Sequence, residues 1–263
     1  MPALRWTALA LLTLGYCIAL THGQLTLPVV VTFGLLIMAG ICVSQFSHRG
    51  IRLFGHSLFI ALAAGLASHW LPGFFNARVI AAVRFTQEAA PFSMFLNLDK
   101  PLIGFWIALA CPWVFFAVSP RRTLLTASIS LPVTTVICLT GAVSLGIVGW
   151  APKWPEQGMI WAINNLLLVT ITEELLFRGY LQQGLARLLY RLPYHQALAI
   201  GLASLAFGLA HMGAGWEWVL LAGMAGIGYG IAYRFGGLTA AVITHFGLNL
   251  AHFGLFTYPM FNR

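Results

Sequence analysis

Charged residues cut this chain into long apolar runs, and most of the runs have the length that crosses a bilayer. No Asp, Glu, Lys or Arg falls between Arg5 and Arg49. That interval has room for two helices of about 20 residues each, with a turn near His22-Gly23-Gln24. The next runs are Leu53 to Phe75, Leu102 to Val118, Leu124 to Trp150, Met159 to Phe177, Ala197 to His211, Trp216 to Tyr233 and Leu238 to Phe256. The pattern predicts an all-α polytopic membrane protein of about 8–9 transmembrane helices. Arg5 precedes the first run as in a secretory signal, but no small-residue cleavage site follows and a second apolar run comes at once. That run is therefore read as a first membrane helix.

Two segments interrupt the pattern. Asn76 to Pro101 carries Arg78, Arg84, Glu88, Asp99 and Lys100, and reads as a loop with an interfacial helix. Gly179 to Tyr194 sets Arg187 and Arg191 beside Leu181, Leu185, Leu188 and Leu189. This amphipathic stretch is expected to continue the preceding helix into the interface. The chain then divides into N-terminal membrane helices over residues 1–150, with the interfacial segment near 76–101, and a C-terminal core over 151–263. No tandem repeat is visible. Gly226 and Gly230, supported by Ala222 and Gly223, have the small-xxx-small spacing that lets helix backbones approach closely.

Composition narrows the class. The chain is 60% hydrophobic and 8% charged, where a soluble domain is about 25% charged. A soluble core of this size does not hide so much apolar surface. An ordinary globular enzyme and a disordered chain are both excluded. The net charge of +8 does not indicate nucleic acid, because no basic cluster is longer than Arg121-Arg122. Thinly spread Lys and Arg instead orient a membrane protein. With the N-terminus in the cytoplasm, Arg5, Arg49, Arg52, Arg121, Arg122, Arg178, Arg187, Arg191 and Arg234 fall inside. Arg78, Arg84, Lys100, Lys153 and Arg263 fall outside. Cys17, Cys42, Cys111 and Cys138 lie in apolar runs without a CxxC pair, and read as small buried hydrophobes.

Few acids remain, and they separate by position. Glu88, Asp99, Glu156 and Glu217 sit in connecting segments or at a helix start. Glu173 and Glu174 stand inside Ile171-Thr172-Glu173-Glu174-Leu175-Leu176-Phe177-Arg178-Gly179. An ionisable group at mid-membrane costs about 2.5–3.5 kcal/mol on insertion scales, so such acids are functional candidates. On a helix, Glu174 and Arg178 are i and i+4 and can pair. Glu173 is rotated about 100° away and is left to face a cavity, where it suits a general base. A juxtamembrane salt bridge is the plainer reading of the same segment. His211 closes Phe207-Gly208-Leu209-Ala210-His211. His245 and Asn249, again i and i+4, share one face that His252 extends. These groups either bond another helix or form a donor pair aimed at a substrate. His22, His48, His56, His69 and His195 lie mostly at run boundaries and read as interfacial.

Taken in order, Glu-Glu-x-x-x-Arg, Phe-x-x-x-His and His-x-x-x-Asn on successive C-terminal helices resemble the CPBP family of intramembrane proteases. That family groups type II CAAX prenyl endopeptidases with bacteriocin-processing and bacteriocin-immunity proteins. The resemblance runs over roughly Met159 to Phe256 and includes Gly226-Ile227-Gly228-Tyr229-Gly230 and Tyr233-Arg234-Phe235-Gly236-Gly237-Leu238. Before Met159 the chain matches only as apolar helices.

The resemblance implies a glutamate-type intramembrane endopeptidase. Glu173 would act as general base with His211 helping to position or activate the water. His245 and Asn249 would form the oxyanion hole, while Glu174 and Arg178 would hold the site's electrostatics. The implied substrate is a membrane-anchored or lipid-linked protein or peptide, cut near its C-terminus. No cofactor is expected. In the alternative metalloprotease mechanism Glu173, His211 and His245 would bind zinc, but there is no His-Glu-x-x-His and Asn is a poor zinc ligand. A proton-coupled transporter would use the same buried Glu and His as a relay, with the paired inverted repeats that this chain lacks. A non-catalytic scaffold or immunity protein would keep the motifs for packing. The expected location is a bacterial inner membrane, with the bilayer and a membrane substrate as partners and no nucleic acid.

Overall fold

The computed structural model describes residues 2–262, with side chains from Trp6 onward. Arg263 and the Arg5 side chain, both used in the orientation reading, lie outside the described residues. The chain is mostly helical. Its helices are α1 (Pro2–Thr21), α2 (Val29–Ser44), α3 (Arg49–Ala67), α4 (Pro101–Ala110), α5 (Pro120–Ser144), α6 (Gly158–Leu188), α7 (His195–Leu209) and α8 (Trp216–Leu255). Four of these, α3, α5, α6 and α8, are long and apolar enough to cross a membrane. The others are shorter apolar helices.

Two compact units form. The first runs to Arg78 and takes in Phe95–Val114; the second takes in Val79–Met94 and the chain from Phe115 onward. In the first unit α2 packs on α3, and α4 packs on α1 and α2. Trp106 stacks on Phe59 with ring centroids 3.7 Å apart and donates its indole N–H to the Leu36 carbonyl at 2.9 Å. The Tyr16 hydroxyl donates to the Leu98 carbonyl. The run Leu102 to Val118 is not one span. Pro101 opens α4 at its first turn, and Pro112, which has no N–H to donate, follows its end. A tight turn over Pro112–Val114 comes next. Ten residues of helix reach about 15 Å, half of a hydrocarbon core of about 30 Å.

The interfacial helix expected within 76–101 is a β-hairpin instead. Its strands are β1 (Ala77–Val83) and β2 (Phe92–Leu96). Val79, Ile80 and Val83 are β-branched and suit a pleated, half-buried surface. In the second unit Ile80 and Met94 are buried against Trp161 and Phe253, which anchors the hairpin arms to α6 and α8.

The second unit is built on α8. Its long pairing with α5 is cross-linked by the Ser130 and Thr244 hydroxyls at 2.7 Å, and Thr123 donates to the Gly236 carbonyl at 2.9 Å. Gly237 breaks α8 into two arms, 216–236 and 238–255, at φ 77° and ψ −175°. Glycine alone adopts that backbone readily. The two C-terminal runs read from the sequence are these two arms. Helix α6 continues through Gly179 to Leu188, as the amphipathic stretch suggested. Two parts of it, Asn165–Thr170 and Leu175–Gln182, are wound in wider π-type turns.

Candidate active site

Glu173 and Glu174 lie on a short α-helical piece of α6, Ile171–Glu174, between the two wide-turn stretches. Such widened turns recur where a helix must present a group that a regular ladder would misplace. The two acids meet different surroundings. Glu174 is fully buried and Glu173 keeps 30% of its side-chain surface. Arg178, also buried, donates from Nη1 to Glu174 Oε1 at 3.0 Å and from Nη2 to the Gly226 carbonyl at 3.2 Å. Its guanidinium lies over the rings of Phe207 and Tyr229, 4.5 and 5.1 Å from their centroids. That stacking places a planar cation against aromatic faces while its edge serves the carboxylate.

The second arm of α8 brings His245 to the same carboxylate. His245 Nδ1 is 2.8 Å from Glu174 Oε1, and its Nε2 is 3.9 Å from Glu173 Oε2. The ring is stacked on Tyr229 at 4.4 Å and meets Phe207 edge-on at 5.7 Å. A carboxylate at Nδ1 fixes the proton there in the neutral ring and leaves the Nε2 lone pair toward Glu173. His211, at the end of α7, places Nδ1 2.9 Å from the Phe207 carbonyl. A carbonyl only accepts, so this nitrogen carries the hydrogen and Nε2 carries the lone pair.

His211, His245, Asn249 and His252 line one cavity of about 90 Å³, together with Phe207 and Tyr229. The structure thus gathers the expected residues in two overlapping sets. Glu173, Glu174, Arg178 and His245 are linked by contacts; His211 and Asn249 join through the cavity wall they share with His245. Glu173 is not among the residues lining that wall. His252 extends the face of His245 and Asn249 into the same cavity, and its Nε2 reaches the Thr257 carbonyl at 3.3 Å.

The zinc alternative required Glu173, His211 and His245 to converge. Among the described residues, no three His, Cys, Asp or Glu side chains do so.

Two contributors escaped the sequence reading. Asn165 Oδ1 accepts from Asn249 Nδ2 at 3.1 Å and from Thr170 Oγ1 at 3.3 Å, which sets the orientation of the Asn249 amide. Its signal was a polar residue inside the apolar run Met159 to Phe177. Tyr229 forms the stacking floor of His245; the resemblance takes in its segment, Gly226 to Gly230, without giving it a role.

Comparison with curated proteins and with solved structures gave no significant match. The family comparison did. Residues 155–251 match the model of the family described as Type II CAAX prenyl endopeptidase Rce1-like, a stretch that holds all three motifs and stops one residue short of His252. Over those residues, a little more than a third of its length, the chain is similar to that family.

Proposed function

We propose that the protein is an intramembrane endopeptidase of glutamate type, acting on a membrane-anchored or lipid-linked protein or peptide near its C-terminus. The family match supports a CAAX-type peptidase at the level of the family. The observation that carries the mechanism is the unequal treatment of the two acids. Glu174 is sealed between Arg178 and His245, whereas Glu173 stays partly exposed with its Oε2 3.9 Å from His245 Nε2. Sealed and paired, Glu174 suits an electrostatic role; accessible and loosely held, Glu173 suits proton transfer.

Glu173 takes a proton from the attacking water and passes it to the leaving amine. His211, with its Nε2 lone pair, positions that water. Asn249 offers amide N–H to the oxyanion of the tetrahedral intermediate. His245 donates from Nε2 only as an imidazolium, and the Glu174 carboxylate at Nδ1 offsets that charge. No metal enters these steps. We place the chain in a bacterial inner membrane with its N-terminus in the cytoplasm; four of its helices are long and apolar enough to cross.

The test is cleavage of a lipid-anchored peptide by purified protein in lipid. Glu173→Gln and His211→Ala each lower kcat by about 10²–10⁴-fold, with unfolding midpoints near wild type. Excess chelator leaves the wild-type rate unchanged. Equal cleavage by wild type and both variants would end the catalytic assignment, and chelator inhibition reversed by zinc would overturn the metal-free mechanism.

A further inference from the structure

The face of α6 that carries Glu174 continues through Arg178 and Gln182, at i, i+4 and i+8, and all three residues are buried. Their polar groups are only partly used. Besides the Arg178 bonds already given, Gln182 Nε2 donates to the Gly230 carbonyl at 3.0 Å. Glu174 Oε2, Arg178 Nε and Gln182 Oε1 are all buried without a hydrogen-bond partner among the described residues. One such group costs about 1–3 kcal/mol, and more when charged. Three on one helix face, in the segment that positions the site, make a pattern rather than a lapse of packing.

Opposite the series, the first arm of α8 presents Gly226 and Gly230. A side chain on Gly230 would begin 2.8 Å from Gln182 Oε1, and one on Gly226 would begin 3.3 Å from Arg178 Nη2. The polar ends therefore occupy space that any larger residue on α8 would take. Polar, glycine-lined and short of partners, the seam has the features of an internal water site.

We propose that the seam between α6 and the first arm of α8 holds a file of internal waters running from Glu174 to Gln182. At one end the file touches the carboxylate that binds His245. At the other it leads toward the exposed residues 190–194 beyond the end of α6. The waters donate to Glu174 Oε2 and Gln182 Oε1 and accept from Arg178 Nε. Its use as a supply of water or protons to the site rests on the peptidase reading, since each peptide bond cut consumes one water. The water site itself does not rest on it.

Two measurements on the full chain in lipid nanodiscs test the proposal. A density map that resolves ordered waters should show one within hydrogen-bond distance of each of the three atoms. Direct pairing of Arg178 Nε with Glu174 Oε2, or no water at any of them, would overturn it. In ¹⁵N-arginine spectra, the Arg178 Nε–H is assigned by its loss in Arg178→Lys, and its exchange with solvent is followed. Gln182→Leu plugs the far end and slows that exchange by about tenfold; unchanged exchange would show that the file does not run past Gln182. Ordered waters in a protein that cleaves nothing would sink the peptidase reading and leave the water site standing.

Discussion

Each of the two units buries one acid, and the two acids are handled in opposite ways. In the first unit Asp99 is 2% exposed, and both of its oxygens are served. His69 Nδ1 lies 2.5 Å from Oδ2, Asn76 Nδ2 reaches both oxygens at 3.3 and 3.4 Å, and the Lys100 N–H donates to Oδ1 at 2.8 Å. Asn76 in turn accepts from the Leu98 N–H at 2.8 Å. This closed circuit ties the end of α3 to the start of α4, and nothing in it is left to react. In the second unit Glu174 crowds Arg178 and His245 onto one oxygen and leaves the other without a protein partner. Its neighbour Glu173 is held by a single 3.9 Å contact. Complete pairing marks a structural clasp; incomplete pairing of buried charge, tolerated at a cost, marks chemistry.

That contrast predicts the largest stability effect at Arg178. Arg178→Met leaves the buried Glu174 carboxylate without its cation, and removal of one partner of a buried pair costs about 3–5 kcal/mol. Adding Glu174→Leu removes the stranded charge and recovers most of the loss. Unfolding in lipid or mild detergent across the double-mutant cycle measures both. A single-variant cost below about 1 kcal/mol, the range of exposed pairs, would contradict the burial argument.

A smaller effect is expected at the clasp. Asp99→Leu removes an acceptor of charge-assisted bonds worth about 1.5–3 kcal/mol. The unfolding midpoint falls, while cleavage per folded molecule stays at the wild-type rate because no reacting group is touched. Loss of activity at temperatures where the variant is fully folded would mean that Asp99 does more than hold the first unit together.

The comparison also explains what could be read from the chain. Charge scarcity found Glu173, Glu174 and Arg178, because an apolar solvent makes each ionisable group conspicuous. Helical spacing gave the Glu174–Arg178 pair and the shared face of His245, Asn249 and His252. The clasp was not legible. Asp99 looked like one more loop charge and His69 like an interfacial histidine, since their meeting depends on the fold that joins α3 to the hairpin. The hairpin was not legible because the charges of residues 76–101 interrupt the alternation around the β-branched Val79, Ile80 and Val83. The short α4 was not legible because hydropathy runs on unbroken past Pro112, where the helix stops. Asn165 carried too weak a signal, since a lone Asn in an apolar run finds its partner only across the fold.

Asn165 gives the next effect in size. Its side-chain oxygen accepts from the Asn249 amide, so in the proposed mechanism it is a positioning residue. Loss of an oxyanion donor costs about 10²–10³-fold in kcat, which is the expectation for Asn249→Ala. Asn165→Leu only loosens that donor and should lower kcat by about tenfold, with KM unchanged. Asn165→Asp keeps an acceptor and restores most of the rate. Equal rates for Asn165→Leu and wild type would remove Asn165 from the site, and failure of Asn165→Asp to restore activity would point to a packing role.

Lys153 tests whether hydrogen bonds alone make a half-buried charge comfortable. It lies between α5 and α6, and its Nζ donates to the carbonyls of Ala151, at 3.3 Å, and Phe256, with the Phe253 ring 6.0 Å away. Like Asp99 it has partners, but these are neutral, and burial pushes its pKa down to about 8. In the unfolded chain a lysine titrates near about 10.4. Below pH of about 8 it is protonated in both states and adds no pH dependence. Between about 8 and 10.4 the unfolded chain holds a proton that the folded protein has released, so stability rises with pH through that window. The rise is small, because the site is about half open to solvent. Unfolding midpoints measured from neutral pH to about pH 11, for wild type and Lys153→Met, isolate this contribution: the variant loses the rise. Superimposable profiles, or a wild-type midpoint that falls across the window relative to the variant, would show that neutral carbonyls satisfy a buried ammonium as fully as the clasp satisfies Asp99.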